Sequence, residues 1–157
     1  MSTLAYIGLG ANLGDAASSL EQAAQELSCS NGIQQLTLSP RYRSTPVESS
    51  GPDYVNAVAA VQTTLSAKQL LSLLLSIEQQ HGRERPWHNA PRTLDLDLLL
   101  FGSATLTEPD LIVPHPRMHL RAFVLRPLAD LAPDLLLKQG DLPTLLATCS
   151  DQALSPL

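Results

Sequence analysis

The stretch Tyr54-Val-Asn-Ala-Val-Ala-Ala-Val-Gln-Thr-Thr-Leu65, followed at once by Ser66-Ala-Lys-Gln-Leu-Leu-Ser-Leu-Leu-Leu-Ser-Ile-Glu-Gln-Gln-His-Gly82, changes its hydrophobic period halfway. The first half alternates, sending Val55, Ala57, Ala59 and Val61 to one side and Tyr54, Asn56, Val58 and Ala60 to the other, as a strand does. The second half repeats at helical spacing through Leu70, Leu71, Leu74 and Ile77. Ser66 stands where an N-cap belongs and Gly82 where a C′ glycine belongs. Working outward, residues 83–92 hold two prolines and no apolar period and read as a loop, and Thr93 to Phe101 reads as the next strand. Upstream, 44–53 is a Pro- and Ser-rich loop, and 33–43 is a strand placed near an edge by its one proline. Before that, Leu20, Ala23, Ala24 and Leu27 mark a helix capped by Asp15 or Ser18 and stopped at Asn31-Gly32, and residues 3–10 read as a buried strand. The order β-α-β-β-α-β predicts an α+β ferredoxin-like sandwich. A proline-broken C-terminal irregular and helical extension follows, with short helices expected at about 120–131 and 141–149. Residues 1–157 are expected to form a single domain.

With 44% hydrophobic residues the chain can build a core. Ten Lys+Arg against fifteen Asp+Glu give a net charge of −5, so the basic footprint of a non-specific nucleic-acid binder is missing. Cys29 and Cys149 are too far apart in sequence to suggest a C-x-x-C site, and no apolar run approaches the length of a spanning helix. No nucleic-acid or membrane partner is expected, and the setting is expected to be cytoplasmic. Charge is unevenly spread: six of the eight arginines lie between Arg83 and Arg126.

Gly8-Leu-Gly-Ala-Asn-Leu-Gly14 follows the first strand where a dinucleotide fingerprint would sit, but the third glycine arrives one residue late. It reads as a strand-to-helix turn that needs a permissive backbone. Arg92-Thr-Leu-Asp-Leu-Asp-Leu-Leu-Leu-Phe101 is sharper. Alternation places Leu94, Leu96, Leu98 and Leu100 on one face and Asp95 and Asp97 on the other, about 7 Å apart at their backbones. Leu99 and Phe101 continue the acidic face, which argues against a merely solvated strand. Paired carboxylates of this kind suit Mg²⁺ carrying phosphates better than zinc. Arg83, Arg85, Arg92, Arg117 and Arg121 flank the strand as candidate forks for phosphate oxygens. Tyr54 and Asn56, two residues apart on one strand face, offer a stacking ring and an amide suited to a flat heterocycle. Trp87 and Phe123 are the other aromatics in or beside these loops.

Pro91-Arg-Thr-Leu-Asp-Leu-Asp97, with Pro52-Asp-Tyr-Val-Asn56 upstream, Gly82-Arg-Glu-Arg85 between and Val113-Pro-His-Pro116 to Phe123 downstream, resembles the 6-hydroxymethyl-7,8-dihydropterin pyrophosphokinase family of folate biosynthesis. The resemblance implies transfer of pyrophosphate from ATP to the pterin hydroxymethyl group, with release of AMP. It implies that Asp95 and Asp97 hold Mg²⁺, two ions in all, and that Glu78, Arg83, Arg85, Arg92, His115 and Arg121 contact ATP. Tyr54 and Phe123 would sandwich the pterin, Asn56 with the backbone of Ser44 and Val47, and with Thr45, would read its edge, and Trp87 would close over it. Arg83, Arg92 and Asp97 are the candidate catalytic residues, Asp97 being also a candidate acceptor of the hydroxyl proton. A monomer is expected, with association with another folate-pathway enzyme open.

The residues agree with that implication. No Cys, Ser-His or Lys constellation suggests a covalent intermediate, so direct in-line displacement is the economical mechanism. A ferredoxin-like RNA-binding module lacks its aromatic signature here. A non-catalytic ferredoxin-like small-molecule-binding domain stays open, and formation of AMP separates it from the enzyme.

Overall fold

The computed structural model describes residues 2–12, 15–44, 53–81 and 94–157. The chain runs β1 (Thr3–Ala11), α1 (Ala16–Ser28), β2 (Ile33–Leu38), β3 (Tyr42–Ser44), β4 (Tyr54–Thr63), α2 (Ala67–Gln80) and β5 (Asp95–Phe101). The extension then adds β6 (Leu106–Glu108), β7 (Leu111–Val113), α3 (Ala122–Leu131), β8 (Leu136–Leu137), β9 (Gly140–Asp141), α4 (Leu142–Thr148) and β10 (Leu154–Pro156).

Local chemistry fixes the boundaries. Asp15 caps α1 by accepting the Ser18 N–H at 3.2 Å, so Asp15 rather than Ser18 is the cap. Ser66 opens α2 with a capping box, its hydroxyl accepting the Gln69 N–H at 3.1 Å while the Gln69 side chain accepts the Ser66 N–H at 2.8 Å. Gly32 has φ +90°, and a Cβ there would meet the Leu65 side chain at 2.5 Å, so the turn into β2 requires glycine. The expected strand 33–43 is two strands, because Ser39-Pro40 interrupts it. Ser39 bonds Val58 through both its amide and its hydroxyl, each at 2.9 Å, and the ladder resumes beyond Pro40. Both cysteines are free thiols, Cys29 exposed and Cys149 buried. No helix among the described residues is long and apolar enough to cross a membrane.

The main sheet is antiparallel, in the order β10-β3-β4-β1-β5, with β2 also paired to β4. This is the predicted ferredoxin-like arrangement, with β2 and β3 sharing one strand position. One face carries the core shared with α1 and α2: Ile7 and Leu9 of β1, Val55, Ala57, Ala59 and Val61 of β4, and Leu94 with Leu96 and Leu98 of β5 meet Leu20, Leu27, Leu70 and Leu74. The other face is half covered. Tyr6, Val58 and Leu99 pack under Met118, Val124, Leu125 and Leu128, and under Leu142 and Leu145 of α4. Each fully buried leucine contributes about 1.5–3 kcal/mol, which gives the extension a core of its own. The opposite half of that face is where the polar residues stand.

Two expectations need correction. The leucine run of β5 does not alternate throughout: the register steps between Ile7↔Leu98 and Tyr6↔Leu100, leaving Leu99 as an extra residue. This bulge puts Leu100 against the second core and Phe101 against the first, the reverse of strict alternation. Leu99 does fall on the acidic face, buried at its far end. The irregular part of the extension holds short strands that were not expected. β6 pairs with β7, β8 pairs with β9, and β10 adds to the main sheet beside β3. Its helices α3 and α4 do form, and α3 runs through Pro127 rather than stopping there.

Candidate active site

The site is built on the other half of the second face, at the β4, β1 and β5 strands. Gly10 lies opposite Asn56 on one side and Asp95 on the other, and Gly8 lies opposite Val58 and Asp97. Asn56 and Asp95 are therefore two strand spacings apart, about 10 Å, across a residue with no side chain. The two glycines leave a trough whose walls are Asn56 with Tyr54 and the two carboxylates. Gly8 and Gly10 lie in β1, which runs one residue beyond the expected strand 3–10, so the turn starts after Ala11 rather than at Gly10. Their glycine-x-glycine spacing equals the strand period, a signal that could have placed both on one face.

On the β4 wall, Asn56 is 5% exposed and its Oδ1 accepts the Ser44 hydroxyl at 2.6 Å. Gly10 lies close beneath: a Cβ there would stand 3.2 Å from Asn56 Nδ2 and 3.8 Å from Tyr54 Cδ1. Ser44 was expected to act through its backbone. That backbone lies in the sheet between β4 and β10, and the side chain makes the contact with Asn56. Behind it, the Tyr42 hydroxyl donates to the Asp130 carboxylate and accepts from Arg126 Nε at 3.3 Å, which ties β3 to α3. This joint was missed in the sequence, since only the i,i+4 spacing of Arg126 and Asp130 hints at it.

On the β5 wall, Asp95 and Asp97 are half-buried on the same face. Arg121, at the start of α3, brings Nη1 to 3.9 Å from Asp97 Oδ2 and lays its guanidinium over the Phe123 ring, 5.5 Å from the centroid. One side chain thus links the acidic wall to an aromatic one. His115 is tied to β5 by its backbone N–H, which donates to Leu99 O at 2.9 Å. Its Nδ1 accepts the Arg117 N–H at 3.1 Å. Burial first, then the charges of Arg121 and Arg117, lower its pKa to about 4 against a smaller upward pull from Asp95. The ring is neutral near pH 7, and with Nδ1 accepting, the proton sits on Nε2.

Glu78 is 2% exposed and its Oε2 accepts the Leu96 N–H at 2.7 Å, so its carboxylate anchors β5 between the two aspartates. Ser44, Tyr54, Asn56, Asp95, Asp97, His115, Arg121 and Phe123 all belong to elements bordering this trough. Thr45, Val47, Arg83, Arg85, Trp87 and Arg92 lie outside the described residues. Among the described residues no three His, Cys, Asp or Glu side chains gather as a complete metal site. Two hard carboxylates half-buried on one strand face fit Mg²⁺, an ion that keeps several waters and takes substrate phosphates as further ligands.

Comparison with known proteins gives concordant results. Residues 6–133 match the family model described as 7,8-dihydro-6-hydroxymethylpterin-pyrophosphokinase (HPPK). The 2-amino-4-hydroxy-6-hydroxymethyldihydropteridine pyrophosphokinase of Pseudomonas aeruginosa is 44% identical over 154 residues, covering 97% of this chain and 95% of that protein. The protein of the same name from Haemophilus influenzae is 41% identical over 141 residues, 89% of this chain and 88% of that one. Among solved structures, wild-type Plasmodium falciparum HPPK-DHPS superposes with a TM-score of 0.75 at 13% identity, covering 94% of this chain. This chain spans 44% of that longer one, and the likeness speaks for the fold.

Proposed function

The chain belongs to the 7,8-dihydro-6-hydroxymethylpterin-pyrophosphokinase family, and from that premise we propose how its residues divide the work. The reaction transfers pyrophosphate from ATP to the hydroxymethyl group of 6-hydroxymethyl-7,8-dihydropterin in folate biosynthesis. The observation that carries the division of roles is the trough itself: a carboxylate wall and an amide-and-aromatic wall face each other across two glycines.

In this reading ATP lies along the acidic wall and the pterin along the other. Asp95 and Asp97 hold Mg²⁺, two ions being the number we favour. When bound, the metal would neutralise phosphate charge and polarise the phosphorus under attack. Arg121 and neutral His115 donate to phosphate oxygens, His115 through Nε2–H. Because His115 carries no charge near pH 7, its contribution is an oriented hydrogen bond. Glu78 acts from behind, holding Leu96 so that the neighbouring aspartates keep their direction. Arg83, Arg85 and Arg92 complete the phosphate contacts, and Arg83 and Arg92 bear most directly on the developing charge.

The pterin stacks between Tyr54 and Phe123. Asn56 pairs with its polar edge, helped by Ser44, Thr45 and Val47, and Trp87 closes the site. The hydroxymethyl oxygen then attacks the β-phosphorus in line: the O–Pβ bond forms, the bond from Pβ to the α,β-bridging oxygen breaks, and AMP leaves with that oxygen. Asp97 is the nearest candidate to take the hydroxyl proton. The described parts of the constellation stand on one sheet and the extension packed on it, which supports residues 1–157 acting as one domain, and a monomer is the state we favour. The joining of HPPK to DHPS in the Plasmodium falciparum chain supports association with a second enzyme of the same pathway.

The test is direct. With ATP, Mg²⁺ and hydroxymethyldihydropterin together, AMP forms; omitting any one abolishes it. AMP formation that continues unchanged without Mg²⁺ would overturn the assignment of Asp95 and Asp97. Pterin binding without AMP formation would instead indicate a binding domain.

A further inference from the structure

Three neighbouring strands meet at a single carboxamide. Asn56 on β4 is buried, Ser44 on β3 donates its hydroxyl to Oδ1 at 2.6 Å, and Gly10 lies directly across on β1 beneath Nδ2. A side-chain amide presents an acceptor and a donor side by side, and a half-turn about its last torsion reverses their order. The terminal torsion of Asn is broad, so packing and hydrogen bonds must decide between the two orders. Here the Ser44 contact decides: at 2.6 Å it has the length of an O–H···O bond rather than an N–H···O one, which puts the oxygen at that end. The absence of a Cβ at Gly10 leaves the other end of the amide room to lie in place.

We propose that Ser44, through its side chain, and Gly10, through its lack of one, are positioning residues that lock the Asn56 carboxamide in one orientation and so set recognition of the pterin edge. The inference rests on the reading of Asn56 as a pterin contact and deepens it. Its consequence follows from the ligand's chemistry. A 2-amino-4-hydroxypteridine carries donors and acceptors in fixed order along its pyrimidine edge, so a reversed amide meets donor with donor. A buried mismatch of that kind discriminates strongly, because neither group finds a partner. The hydroxyl of Ser44 occupies one lone pair of Oδ1 and leaves the second, with the Nδ2 hydrogens, to face the ligand. Asn56 has little freedom to evade a Cβ at Gly10, since it is held by that short hydrogen bond within the middle of the sheet.

Hydroxymethyldihydropterin is titrated by calorimetry into the full chain in the presence of Mg²⁺ and a non-cleavable α,β-methylene analogue of ATP. Ser44→Ala and Gly10→Ala are each expected to weaken pterin binding about tenfold, and Asn56→Ala roughly ten- to a hundredfold. Ser44→Thr, which keeps the hydroxyl, should recover most of what Ser44→Ala loses. In turnover the losses appear in KM for the pterin, with kcat at saturation largely kept. Coupling is the decisive readout. On an Asn56→Ala background neither Ser44→Ala nor Gly10→Ala should weaken binding further. Should Gly10→Ala fail to fold by circular dichroism, the Ser44 pair of variants decides. Native affinity in Ser44→Ala, or a loss that persists in full without Asn56, overturns the inference alone. Native pterin affinity in Asn56→Ala overturns the pterin reading and the inference with it.

Discussion

In the proposed division of roles, Asp95 and Asp97 are the residues whose chemistry is hardest to replace, because both stand half-buried on one strand face. Replacing either by Ala should leave the fold intact, as the carboxylates are half-buried on a face open to ligand. Turnover should fall by about a hundredfold or more, the scale seen when one preorganised charge-stabilising group is lost. AMP release at saturating Mg²⁺ measures this, and near-native rates in both variants would show that neither is a metal ligand. His115 allows a second test. Its pKa is about 4 in the folded chain against 6.5 for an ordinary histidine. Between these values the unfolded chain binds a proton that the folded chain refuses. Its contribution to stability is therefore complete above about pH 6.5, falls as the pH drops toward 4, and falls no further below. Urea titrations at pH 7 and 4.5 should show a smaller pH-dependent loss in His115→Gln than in the parent. At this scale the carboxylates and Asn56 were legible from period-two alternation, because polar residues at alternate positions of an apolar strand have only one face to occupy. The part played by Gly8 and Gly10 between the two walls was not, since a glycine-rich stretch at a strand end resembles a turn whether or not the chain turns there.

Among the elements, the long ones declared themselves and the short ones did not. β1, α1, β4 and α2 each carry four or more apolar positions at a single period. Strands β6 to β10 span two or three residues each, too few for any period to show. The bulge in β5 was illegible for another reason: Leu98-Leu99-Leu100 offers the same side chain at every position, so sequence cannot say where alternation breaks. The joint between β3 and α3 gives a prediction at this scale. Tyr42→Phe removes the hydroxyl shared by Asp130 and Arg126 and should cost about 1 kcal/mol of stability. Pterin affinity should weaken several-fold, because β3 carries Ser44, while nucleotide affinity measured alone holds. Equal losses for both ligands would mean that the joint serves the fold as a whole.

In the whole molecule one sheet serves two cores and a reaction site. The extension buries one half of the second face, and the candidate site occupies the other half. Leu125, fully buried in that second core, should cost about 2–5 kcal/mol when replaced by Ala. Binding should act in the opposite direction. A ligand at a hundred times its Kd stabilises by about 2.7 kcal/mol, which for a chain of this size raises Tm by about 5–10 °C. Calorimetry with Mg²⁺ and a non-cleavable ATP analogue should show that rise in the parent chain, and Asp95→Ala should lose most of the Mg²⁺-dependent part. A full rise in the variant would place the ion elsewhere.

The pairing of β10 with β3 joins Leu154 to Ser44, and this long separation matters while the chain is being made. Ribosomes add about 5–20 residues each second, so the edge beside Ser44 stands open for about 5–20 s after β3 emerges. Throughout that interval β3 offers unpaired backbone groups to any passing strand. The wall that bears Ser44 is thus the last part of the sheet to be closed during synthesis, and a nascent chain that has not yet delivered Leu154 carries the whole carboxylate wall beside an unfinished pterin wall.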